Sequence, residues 1–165
     1  MRTPASIAHH PVHAMLVAPA IGLLLFSLIG DLLYASGLGG AAWTTVALYT
    51  LGGGVVFALA AAVPGLIDLL SISSPPAKRV GIWHMSVNLV AVVLFAASFA
   101  LRLGGAPGAI LPIVAAALGV GLLGVGGWLG GELVYVHGTG VASSAPPASE
   151  PPAGRVPERL RAVGQ

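Results

Sequence analysis

The sequence predicts an all-α integral membrane four-helix bundle, up-down-up-down, with a disordered C-terminal tail. Of 165 residues, 56% are hydrophobic and 7% charged, whereas a soluble domain carries about a quarter charged residues. Four runs lack Lys, Arg and Glu for long enough to cross a bilayer, which takes about 20 residues of helix. Strands would need an alternation of apolar and polar residues, and that alternation is absent.

The runs are Ala14 to Leu33, Ala41 to Ile67, Val80 to Leu101 and Leu103 to Gly131. They predict spans near 14–35, 42–70, 80–102 and 109–136 within a transmembrane domain of residues 1–141. The first run is broken only by Asp31, is too long for a signal peptide and lacks a clean cleavage site, so it is expected to remain as a helix. In the second, Pro64 removes a backbone donor and predicts a kink, and neighbouring helices can satisfy the carbonyl it frees. From Val141 the chain turns rich in Pro, Ala and Ser, which cannot bury a core, so residues 142–165 are expected to be a disordered cytoplasmic tail.

Several functions are excluded or disfavoured at this level. With no cysteine there are no disulfides, thiolate metal sites, iron–sulfur ligands or covalently attached c-type haem. A net charge of +2 is too small to suggest a nucleic-acid partner. No glycine-flanked nucleophilic serine, phosphate-binding loop or zinc-protease helix occurs, so a stand-alone enzyme is not expected. No charge lines the middle of a span, as an ion path would need. No repeat of solenoid length is seen.

Basic residues set the orientation. Arg2, Lys78, Arg79, Arg155, Arg159 and Arg161 fall on one side and Arg102 on the other, which predicts both termini in the cytoplasm. His9, His10 and His13 then enter the first helix from the cytoplasmic side and Asp68 ends the second there. His84 begins the third on that side, and Glu132 and His137 close the fourth. Asp31 is the exception, about 27 Å further along the first helix at 1.5 Å per residue. Ionisable groups in or beside spans are costly and become functional candidates by default. The alternative for any single histidine is a hydrogen bond to lipid headgroups.

In an up-down bundle the first and third helices run parallel and lie diagonally across the centre, so His13 and His84 fall at matching heights. The positive end of each helix dipole disfavours imidazolium there, and the neutral ring is the form that binds metals. Asn88 shares the His84 face one turn deeper; it reads either as a hydrogen-bonding partner of a ligand or as interhelical glue. Gly52, Gly53 and Gly54, and the spaced pairs Gly126 with Gly130 and Gly127 with Gly131, favour tight helix packing. The other reading is room for a flat ring such as haem.

The stretches "HPVHAMLVAPAIGLLLFSLIGDLL", "AAVPGLIDLL", "RVGIWHMSVNL" and "GWLGGELVYVHGTGV" together resemble the bacterial membrane family of domain of unknown function 2231 (DUF2231), from His10 to Val141. That family is similar in layout to small four-helix b-type cytochromes. Its relatives often occur joined to a Rieske iron–sulfur domain. The resemblance implies redox work at the bacterial inner membrane, with a Rieske-type protein or a quinone as redox partner. It places the family's polar positions on His10, His13, Asp31, Asp68, His84, Asn88, Glu132 and His137. Many relatives carry a further histidine where this chain has Ala18 before Pro19. If that histidine binds haem in relatives, this chain uses His13 instead or lacks the haem.

The leading expectation is therefore a b-type haem electron carrier whose axial pair is His13 and His84. His137 is the rival for either place, Asn88 lies beside the cofactor, and Asp68 and Glu132 orient the imidazoles. The alternative is a non-haem zinc, iron or copper site drawn from His10, His13, His84, His137, Asp68 and Glu132, or a structural subunit of a redox complex without cofactor. The lipid bilayer is the expected surrounding, and a homo-oligomer is a possible assembly.

Overall fold

The computed structural model describes residues 4–105 and 108–141. It contains a two-stranded ribbon, β1 (Ser6–Ile7) and β2 (His10–Pro11), followed by α1 (Val12–Ala35), α2 (Ala42–Ser71), α3 (Pro75–Gly104) and α4 (Ile110–Tyr135). All four helices are long and apolar enough to cross a membrane. At 1.5 Å per residue they measure about 36 to 45 Å, against about 30 Å of bilayer hydrocarbon. The expected tail, residues 142–165, and the basic residues Arg2, Arg155, Arg159 and Arg161 lie outside the described residues.

The interior is built from small residues: Ala20, Ala47, Ala61, Ala91, Ala116 and Gly54 are buried. Leu24, Leu51 and Phe95 fill the space between them. Large side chains such as Tyr49, Val56, Val63, Ile82, Val93 and Leu118 point outward. In lipid no hydrophobic force drives helices together, so close approach over small residues carries the packing. α1 packs along α2, and α3 along α4, much more extensively than either pair meets the other. The molecule is thus two helical hairpins with a thinner seam between them.

One boundary differs clearly from expectation. α3 starts at Pro75, not near residue 80, because Pro75 and Pro76 occupy its first helical positions, where a missing N–H costs nothing. Lys78 and Arg79 therefore lie inside the first turns of the helix. The fourth apolar run reaches back to Leu103, but Leu103 and Gly104 end α3, Gly105 is its C-cap and α4 starts at Ile110, one residue from the predicted 109. Gly108 has φ +74°, a left-handed conformation that suits glycine. At the end of α1, Gly37 (φ +77°) closes a Schellman cap, with Leu38 N–H donating to Leu33 O and Gly37 N–H to Tyr34 O.

One element was not expected. β1 and β2 pair antiparallel, Ser6 with Pro11 and Ile7 with His10, leaving Ala8 (φ +48°) and His9 (φ +68°) as the turn. Positive φ at both central residues is the signature of a type I′ hairpin turn, which Asn and Gly normally fill. Two-residue strands carry too little alternation to be read from sequence. The ribbon is tied down by Ala5 N–H, which donates to Asp68 Oδ1 at 3.0 Å.

A histidine pair between the hairpins as candidate functional site

His13, in the first turn of α1, and His84, in α3, approach each other diagonally across the bundle. Their ring centroids are 6.2 Å apart and the ring planes lie 78° from parallel. His13 Nδ1–H donates to Ala61 O of α2 at 2.8 Å, and His84 Nδ1–H donates to Gly126 O of α4 at 2.9 Å. A carbonyl can only accept, so each ring carries a proton on Nδ1, and Asn88 Nδ2 stands 3.4 Å from His84 Nε2. Backbone carbonyls that hold Nδ1–H in this way orient the imidazoles that bind metals.

The surrounding backbone is shaped for these rings. A Cβ at Gly65 would stand 2.7 Å from His13 Nδ1, and one at Gly130 would stand 3.1 Å from His84 Cε1. Ala61 lies in the turn preceding Pro64, whose ring lacks the N–H that would otherwise bond Ala60 O. His13 thus docks on the stretch of α2 that proline weakens. Of the glycines read either for tight packing or for room beside a flat ring, Gly130 faces the His84 imidazole and Gly126 the Asn88 amide.

The depth of the pair differs from expectation. Because α3 begins at Pro75, His84 lies nine residues inside, about 13 Å at the α-helical rise, and does not open the helix at the membrane edge. α1 starts lower in the bundle than α2 ends, and the N-terminal ribbon fills the difference. Asn88 lies one turn deeper still. Its Nδ2 donates to His84 O at 2.8 Å and stands 3.4 Å from both nitrogens of the His84 ring. It is therefore bonded to its own helix and flanks the imidazole, and a Cβ at Gly126 would collide with its amide.

The other expected site residues are elsewhere. His10 sits on the exposed ribbon with Nδ1 bonded to Ala8 O at 2.9 Å. Asp68 is buried and holds the ribbon through Ala5. Glu132 is in the last turn of α4, where its backbone oxygen accepts from Val136 and His137, and His137 follows the helix end. Among the described residues no three of His, Asp or Glu are grouped closely enough to hold a metal ion. Ala18 is exposed.

Asp31 and Arg102 meet at the far end of the bundle in a feature the sequence reading left unpaired. Arg102 Nη1 and Nη2 donate to Asp31 Oδ1 and Oδ2 at 2.6 and 2.7 Å, with side chains only 12% and 5% exposed. Ser98 Oγ accepts from Arg102 Nε and Nη2 at 3.3 Å and donates to Pro112 O at 2.7 Å. The signal was present: the sequence placed both charges at one surface, on diagonal helices. A cavity of about 160 Å³ adjoins this pair, lined in part by Thr44, Thr45 and Pro112; it lies far from the histidines.

These features define a four-helix membrane protein with a paired-imidazole centre between two hairpins. The family model described as "Predicted membrane protein (DUF2231)" matches residues 9–143, and the chain belongs to that family. No curated protein and no solved structure matches it.

Proposed function

We propose that this protein binds one b-type haem between His13 and His84 and works in electron transfer at the bacterial inner membrane. The observation that carries the reading is the imidazole pair itself. The two rings stand with centroids 6.2 Å apart, so one group seated between the hairpins would be within reach of both. Each ring is held through Nδ1 by a backbone carbonyl, and each comes from a different hairpin.

Haem fits better than a bare ion. Among the described residues no third carboxylate or imidazole joins the pair, and zinc in proteins is almost always four-coordinate. Haem brings its own four equatorial nitrogens and asks the protein for axial ligands only. The thin seam between hairpins is the place where a flat ring has the least helix packing to displace. When bound, haem supplies one-electron redox chemistry. The chain supplies the axial imidazoles, their orientation through Ala61 O and Gly126 O, and apolar walls that exclude water. Lys78 and Arg79 beside the α2–α3 loop favour the cytoplasmic side for that end. A quinone or a Rieske-type protein is the partner class.

Protein purified in detergent from haem-replete cells is expected to show a Soret band and about one haem per chain, as one axial pair allows. A colourless preparation from such cells contradicts the proposal.

A further inference from the structure

The two hairpins make the same contacts inside themselves. In α1–α2, His13 bonds Ala61 O beside Gly65, Ser27 Oγ bonds Ala47 O, and Leu24 packs where Gly54 has no Cβ. In α3–α4, His84 bonds Gly126 O beside Gly130, Ser98 Oγ bonds Pro112 O, and Phe95 packs where Gly119 has no Cβ. Every α3 member stands 71 residues after its α1 counterpart (84 − 13, 95 − 24, 98 − 27). Every α4 member stands 65 residues after its α2 counterpart (126 − 61, 130 − 65, 112 − 47, 119 − 54). Buried positions keep the same offsets: Ala20 with Ala91, and Leu51 with Ala116. Four contacts at two constant offsets mark one structural unit used twice.

Two successive up-down hairpins are related by a rotation about an axis along the bundle, as in parallel membrane repeats. Under a two-fold rotation, a residue that touches its own equivalent lies on the axis. Among the described residues two polar pairs meet in this way, His13 with His84 and Asp31 with Arg102, each separated by 71 residues. The first pair is alike and the second is not.

We propose that the chain is one helical hairpin duplicated about a two-fold axis, and that Asp31–Arg102 is the unlike pair that seats hairpin one on hairpin two rather than on a second copy of itself. Identical copies would bring Asp against Asp, or Arg against Arg, at a buried axial position, where like charges repel strongly. One aspartate and one arginine attract only across the two different hairpins of the fold. A repulsive alternative of this kind is how specific pairings are enforced. This inference does not depend on haem.

The test uses the full chain in mild detergent, comparing wild type with D31R, R102D and the double exchange D31R/R102D by melting temperature and gel filtration. Each single change is expected to lower the melting temperature by about 10 °C, as breaking a buried pair in a chain of this size implies. The double exchange is expected to recover more than half of that loss, because the two-fold makes the positions interchangeable. Single variants that melt with wild type overturn the seating role. A double exchange no better than the worse single variant overturns the symmetry. If the single variants do not fold, the folded yield of the double exchange decides the same point. Co-expression of D31R and R102D chains under different tags tests partner choice: each supplies the other's missing partner, and mixed two-chain particles are expected. Mixed particles no more abundant than with D31R under both tags overturn the partner-selecting role.

Discussion

On the proposed haem binding, His84→Ala is expected to lower the haem retained per chain by at least about tenfold, since even changes around a metal's ligands cost about 10–100-fold, and His13→Ala is expected to do the same. The two substitutions should match because each ring is held by one backbone carbonyl of the following helix, Ala61 O for His13 and Gly126 O for His84. Neither ring has a stand-in. His10 is turned to Ala8 O on the ribbon, and His137 lies past the end of α4. His10→Ala and His137→Ala should therefore retain wild-type haem content. Pigment absorbance against protein concentration, read on all four variants from one haem-replete host, separates these outcomes. Loss on His137→Ala with retention on His84→Ala would assign the place of His84 to His137, beyond the end of α4.

The second large effect concerns folding, not the cofactor. Gly54→Leu should abolish the monodisperse folded protein. A Cβ at Gly54 would lie 2.6 Å from Leu24 Cγ and 3.2 Å from Leu24 N, so the obstacle includes backbone and cannot be relieved by a rotamer change. Overpacking a well-fitted core usually costs about 1–3 kcal/mol. Here the added side chain must also push α1 off α2 along a contact made of small residues. Gly22→Leu is the control: nothing lies within 4 Å of the position its Cβ would take, and the extra apolar surface faces lipid. Gel filtration in detergent should show Gly22→Leu at the wild-type elution volume and Gly54→Leu aggregated.

Much of the fold was legible, since a twenty-residue apolar run has few alternatives to a membrane helix. The boundaries were less so, and for a physical reason: hydropathy sees the lipid slab, not the helix. Lys78 and Arg79 bound an apolar run but not α3, and Leu103 and Gly104 open the fourth apolar run yet end α3. The diagonal meeting of His13 and His84 followed from parallel first and third helices. Their depth did not follow, because it depends on where α3 begins. The carbonyl partners were invisible for another reason: Ala61 O and Gly126 O belong to backbone that any residue would offer. The glycines at 65, 126 and 130 were visible as small residues, but not as the places where an imidazole or an amide would lie.

Asp31 and Arg102 show a different gap. Each was placed at the correct end, yet no local pattern joins two residues so far apart in sequence. The duplication is similarly hidden. Aligned at their offsets, the hairpins share His13 with His84, Ser27 with Ser98, Gly54 with Gly119 and Gly65 with Gly130, while exposed positions differ, as at Tyr49 with Val114 and Val63 with Trp128. Contacts preserve the relationship that the letters have lost.

The most direct measurement is near-infrared magnetic circular dichroism of the oxidised, detergent-purified protein, in which a charge-transfer band reports the axial ligands of a low-spin haem. A bis-imidazole band in the wild type, lost in both His13→Ala and His84→Ala, is the predicted result. A band from any other ligand pair, or the wild-type band surviving either substitution, would contradict a centre shared by these two histidines.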